Sequence, residues 1–171
     1  MNETTELNSA SNIALLAPVP LEHLVSALEV LETEEKVAFG SMAFLLFHDL
    51  DSKRHGLPVD VYIYASAREN NPDAPPFWRA TYLKFVGSKD SKPGSHPDGM
   101  KYRPKSTEKY ALDNEGHWGI FWEVKDLRPA TPKDWCPIAE MTGYGKKRRY
   151  GKPFVPEGPI LIEHPPAFTP D

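Results

Sequence analysis

Eighteen prolines in 171 residues are the tightest constraint on what this chain can build. Proline lacks an amide hydrogen and disrupts both helix interiors and central strand ladders. This density therefore argues against long helices and for short strands joined by rigid turns. The length suits one domain with a proper core rather than two. With 40% hydrophobic and 26% charged residues, the chain falls in the globular range and not the disordered one.

Several classes are excluded early. No stretch approaches the roughly 18 apolar residues that cross a bilayer. The opening MNETTELNSASN is polar and acidic, without the basic and apolar regions of a signal peptide. A single cysteine, Cys136, rules out an intramolecular disulfide and a cysteine-based zinc site, so a reducing cytoplasm is the expected setting. Cys136 itself reads as a small buried hydrophobe, since no activating partner adjoins it.

The hydrophobic pattern predicts one domain over residues 12–165, with a disordered lead at 1–11 and a proline-rich tail at 166–171. NIALLA (12–17) reads as a buried strand ended by Pro18. Leu21, Leu24, Val25, Leu28 and Leu31 then fall at helical spacing opposite Glu22, Glu29 and Glu32, the clearest amphipathic helix in the chain. Gly40 and Ser41 suggest a turn, Met42 to Phe47 a strand, and 49–56 a loop. VDVYIYASA (59–67) alternates as a strand, as do FWRATYLKFV (77–86) and HWGIFWEVKDL (117–127), with a long polar stretch at 87–116 between the last two. Met100 to Tyr102 has some strand character, ATPKDW (130–135) reads as a short helix, and PILIEHP (159–165) closes the set. The expectation is an α+β fold: a small, strand-dominated, partly closed β-barrel or strongly bent sheet with one clear N-terminal helix.

Charge is unevenly spread. Residues 1–60 hold 3 of the 20 Lys and Arg and 10 of the 24 Asp and Glu, which leaves 17 and 14 for the rest. The basic remainder concentrates in TGYGKKRRYGKPFVP (142–156), where Lys146, Lys147, Arg148 and Arg149 stand between Tyr144 and Tyr150, with Lys152 beyond. Phosphates attract such cations, and tyrosine rings can stack on unpaired bases. A solvated charged hairpin is the plainer alternative. A second basic run carries Lys84, Lys89, Lys92, Lys101, Arg103, Lys105 and Lys109, and reads more simply as a soluble loop. Among the aromatics, Trp78, Tyr82 and Trp118 are candidates for a base pocket, although alternate tryptophans on a strand are more often core.

Catalytic signatures are missing: there is no Gly-x-Ser-x-Gly elbow, GxxxxGK[ST], GxGxxG or HExxH. The cluster His48, Asp49, Asp51 and His55 has no recognisable ligand spacing and also contains Lys53 and Arg54, which repel a cation. No cofactor or metal is expected. A small hydrolase or nuclease drawing on His48, Asp51, His55, His117 and Glu123 is one alternative function. A protein-interaction module whose proline-rich edges meet a partner is another.

Three segments carry a resemblance to a known superfold: GSMAFLLFHD (40–49), FWRATYLKFVG (77–87) with His96-Pro97 after it, and HWGIFWEVKDLRP (117–129). In these the chain resembles the PUA-like superfold, nearest to its EVE and ASCH groups, over about half its length. The EVE group's opening strand and its tryptophan-glycine-valine-arginine-like turn have no clear counterpart. The resemblance implies a compact β-barrel that binds RNA or modified bases in DNA through a pocket at one barrel mouth. Trp78 and Trp118 correspond to ligand-facing positions. Some ASCH relatives are enzymes, including ribonucleases and amidohydrolases, as the resemblance has it.

Overall fold

The structure is a computed structural model and describes residues 12–89, 95–108, 119–134 and 136–165. Among these residues six strands and two α-helices follow one another: β1 (Ile13–Pro20), α1 (Leu21–Leu31), β2 (Val37–Ser41), α2 (Phe44–Lys53), β3 (Val59–Ser66), β4 (Phe77–Gly87), β5 (Ile120–Pro129) and β6 (Ile160–Glu163). The strands form one mixed sheet in the order β2-β5-β4-β3-β1-β6. Only the β1–β3 pair is parallel; every other neighbour is antiparallel. No helix among the described residues is long and apolar enough to cross a membrane.

The period-two alternation of β3 does what it predicts. Val59, Val61, Ile63 and Ala65 point into the main core, where they meet Ile13, Leu15, Ala17 and Val19 of β1 and the buried faces of both helices. The opposite face of β1 and β3 is covered as well. Ala14, Leu16 and Tyr62 pack there against Ile138, Met141 and Ile162 in a second, smaller cluster. The sheet is thus lined by helices on one face and by irregular chain on the other, which explains why β1 reads as an unbroken apolar run.

Strand β4 changes face partway along. Trp78, Ala80 and Tyr82 point into the main core, and the register slips between Tyr82 and Lys84. That bulge turns Phe85 inward with them, so strict alternation across 77–86 misplaces it.

Five expectations are corrected. Residues 44–53 form a helix, not a strand followed by a loop. The apolar run contains no β-branched residue, and Phe47 and Leu50, three apart, are its buried pair, while Met42, Phe44 and Leu45 face outward. Gly40 and Ser41 belong to β2 instead of a turn. Helix α1 buries Leu21, Leu24, Ala27 and Val30 and leaves Val25 and Leu28 exposed. Small Ala27 in the stripe lets the helix lie close to the sheet. Residues 131–134 make a single turn, closed by the Asp134 amide on the Thr131 carbonyl, and 100–102 is also turn rather than strand.

Strand β1 runs through Pro18 to Pro20 instead of ending at Pro18. Its partner β6 pairs with residues 13–16, and beyond Leu16 no strand among the described residues pairs with that side of β1, an edge where prolines are tolerated. β1 and β2 are four strand spacings apart in the sheet order, about 19 Å if the sheet were flat. Yet residues 17–20 and 38–41 line one cavity of about 270 Å³. The sheet is therefore strongly bent, with an unclosed seam between the two strands. Because β2 and β6 remain its edges, it is not a closed barrel.

Candidate nucleic-acid interface

The basic segment folds as a hairpin joined to the free edge of β6. Gly143 bridges Ile162 and Thr142 bridges Arg149, both antiparallel. The Tyr144 amide donates to the Leu161 carbonyl (3.0 Å), and the Glu163 amide to that of Thr142 (2.8 Å). Returning, the Tyr150 amide donates to Met141 and the Gly151 amide to Ala139, each at 2.9 Å. The tip turns at Gly145, whose φ of +77° is a left-handed conformation that glycine adopts without strain. Glu163 steadies the tip by accepting the Gly145 amide at 2.9 Å.

Lys146, Lys147, Arg148, Arg149 and Lys152 are all exposed on this hairpin. None of the five forms an ion pair among the described residues. Four adjacent cations repel one another, so an unpaired cluster held on an ordered hairpin favours a polyanion.

The two flanking tyrosines differ in role. Tyr144 is exposed, with one ring available. Tyr150 packs against the smaller core, and its ring stacks on Phe154, centroids 4.3 Å apart and planes 17° from parallel. Burial raises its hydroxyl pKa. Gly143 admits that ring: a Cβ there would sit 2.8 Å from the Tyr150 Oη. Phe154 keeps its outer side in solvent and, with Val155 and Pro156, lines an open groove running to Ile160. Reading the sequence alone overlooks Phe154, although it stands only four residues after Tyr150.

Two of the three residues expected to line a base pocket are buried. Trp78 and Tyr82 lie in the main core, sealed by the helices, because α2 covers the sheet face they occupy. Tyr82 stacks on Phe47 and donates to Asp51 at 3.0 Å; burial and the Asp51 charge push its pKa well up. The Trp78 indole N–H is buried with no partner among the described residues. Trp118 lies outside the described residues, as do His117, Lys92 and Lys109.

What the sequence does not reveal is the seam cavity. Phe39 and Trp122 form its floor, with centroids 5.1 Å apart, and Pro18, Pro20 and Pro159 form part of its walls. His23, Ser41, Arg103 and Thr107 supply its polar groups. These residues come from six separate segments, and no local pattern connects them.

Of the hydrolase candidates, Glu123 and Asp51 are held in structural contacts. Glu123 is buried, accepting from Lys36 at 3.0 Å and lying 3.1 Å from His96 Nε2. His96 Nδ1 accepts the Asp98 amide, so the proton sits on Nε2 and is donated to Glu123. Burial alone would raise the Glu123 pKa, but these two donors hold it below the usual value. The arrangement pins the 95–103 segment over β5. Asp51 pairs with Arg54 (2.9 Å), and His48 packs near Phe44. No group of three His, Cys, Asp or Glu among the described residues could hold a metal ion. The Cys136 thiol is pushed up by burial and by Glu140, with Arg149 opposing, as suits an unreactive cysteine.

No family model, curated protein or solved structure matches the chain.

Proposed function

We propose that the protein is a nucleic-acid-binding module in which the 142–152 hairpin holds the phosphate backbone. The carrying observation is that hairpin: five exposed cations, unpaired among the described residues, on a backbone fixed to β6. Lys146, Lys147, Arg148, Arg149 and Lys152 bind phosphates, while Tyr144 and the outer side of Phe154 offer rings for unpaired bases. Tyr150 acts through its stack on Phe154. Base-ring stacking favours single-stranded RNA or DNA, or splayed loops, over a duplex. The PUA-like, EVE/ASCH-type resemblance is part of this proposal; the sheet is strongly bent but is not the closed barrel that the resemblance implies.

Fluorescence anisotropy against labelled single- and double-stranded RNA and DNA, across a salt series, tests this. Replacing residues 146–149 with alanine should weaken binding for every sequence. For a single strand it should also flatten the slope of log K against log salt by up to about 3, some 0.7 for each phosphate no longer neutralised. Affinity that is the same in the variant and the parent for all four probes would refute the reading.

A further inference from the structure

The seam cavity has the makings of a second, separate binding site. Its floor is aromatic, its walls include three prolines, and its polar groups converge from different elements. Arg103 is 2% exposed; its Nη2 donates to the Thr107 carbonyl at 3.2 Å and its guanidinium stands 4.9 Å over the Phe121 ring. Burial pulls its pKa down, the signature of a cation kept in poorly solvating surroundings. A guanidinium on a cavity wall is a recognition group for phosphate.

Other groups lie alongside. His23 lines the cavity from the first turn of α1, its Nδ1 2.7 Å from Ser106 Oγ, and Ser41 lines it from the end of β2. Helix α1 starts at Pro20 on the cavity wall without a side-chain cap, which adds a modest positive potential there. A volume of about 270 Å³ equals the share of about nine liquid waters. That is the scale of one mononucleotide, base, sugar and phosphate together.

We propose that this cavity binds one phosphorylated nucleotide, the base over Phe39 and Trp122 and the phosphate beside Arg103 and His23. The ligand could be a free nucleoside monophosphate or the phosphorylated end of a strand. The second source has a path, since Pro159 belongs both to the cavity wall and to the groove lined by Phe154 and Val155. Only that second source depends on the hairpin reading.

Isothermal titration calorimetry of the full chain tests it, with the four common nucleoside monophosphates, their nucleosides, inorganic phosphate, and a short oligonucleotide with and without a 5′-phosphate. At least one monophosphate should bind saturably, with its nucleoside and inorganic phosphate each weaker by about tenfold or more. Arg103→Met should abolish that preference. Should this buried substitution prevent folding, His23→Ala and Ser41→Val, which remove no apolar core side chain, decide instead, each expected to weaken binding severalfold. The hairpin variant should bind the free monophosphate as the parent does, which separates this site from the hairpin. Binding of the phosphorylated oligonucleotide without the free monophosphate supports the site and assigns it to strand ends. Equal affinity for nucleoside and monophosphate overturns the proposal, as does unchanged binding in folded cavity variants. So does no saturable binding of any phosphorylated probe.

Discussion

Replacing Glu123 with leucine should be among the most damaging single changes in this protein. The carboxylate is 1% exposed and takes two charge-assisted hydrogen bonds, from Lys36 (3.0 Å) and from His96 (3.1 Å). Leucine fills a similar volume but accepts nothing. Lys36 is partly exposed and can turn to water, whereas His96 is 2% exposed and keeps a buried N–H with no acceptor. Breaking a buried pair from one side costs about 3–5 kcal/mol, which for a domain of this size lowers Tm by about 6–20 °C. Denaturant unfolding at neutral pH measures the loss. Hydrogen exchange should show it concentrated in residues 95–103, which His96 and the Asp98 amide tie to β5. Adding His96→Phe to Glu123→Leu removes the stranded donor, so the double variant should be more stable than the two single losses added together. A cost under about 1 kcal/mol for the single variant, or a double variant as unstable as the simple sum, would refute the view of this cluster as a satisfied structural lock.

Other outcomes follow from neighbouring features. His164 donates from Nε2 to Asp60 (2.7 Å) and from Nδ1 to the Pro165 carbonyl, so its doubly protonated form is favoured and its pKa is raised above 6.5. The bond from His164, with Arg79 nearby, outweighs burial and lowers Asp60 below 3.8. The histidine's contribution is therefore complete below pH 6.5 and fades as pH rises through the raised value, while the aspartate's is present above pH 3.8 and fades on acidification. His164→Gln should flatten the alkaline limb of a Tm–pH profile, and an unchanged profile would count against the pair. Gly143→Ala places a methyl group against the Tyr150 hydroxyl, so it should loosen the Tyr150–Phe154 stack and weaken nucleic-acid binding without altering the far-UV spectrum. On α2, Phe47→Ala should cost about 3–5 kcal/mol, while Leu45→Ala, at the exposed face, should stay within about 0.5 kcal/mol; similar losses at both would contradict the helical assignment.

How far the sequence reveals all this depends on whether a signal is local. β3 can be read outright, because one of its faces is uniformly apolar and the period is two. The basic hairpin is equally plain, its charges being consecutive and bracketed by glycines. α2 reads wrongly as a strand because Met42, Phe44 and Leu45 are apolar yet exposed, so burial does not follow from composition and neither period stands out. Trp78 and Tyr82 look like pocket residues because nothing in a strand's own sequence says which face a helix will cover. The seam cavity is invisible for a stronger reason: bending the sheet brings together residues as distant as Ala17, Ser41, Arg103 and Pro159. Only the placement of β1 and β2 at opposite flanks of a curled sheet creates that neighbourhood.

The two imino rings at the end of β1 have a consequence for assembly. A strand margin without amide donors at positions 18 and 20 is a poor template for an incoming chain, so another copy docking there would find half its backbone bonds unanswered. A single local device thus discourages fibril-like stacking on this flank and leaves the gap available to something smaller than a strand.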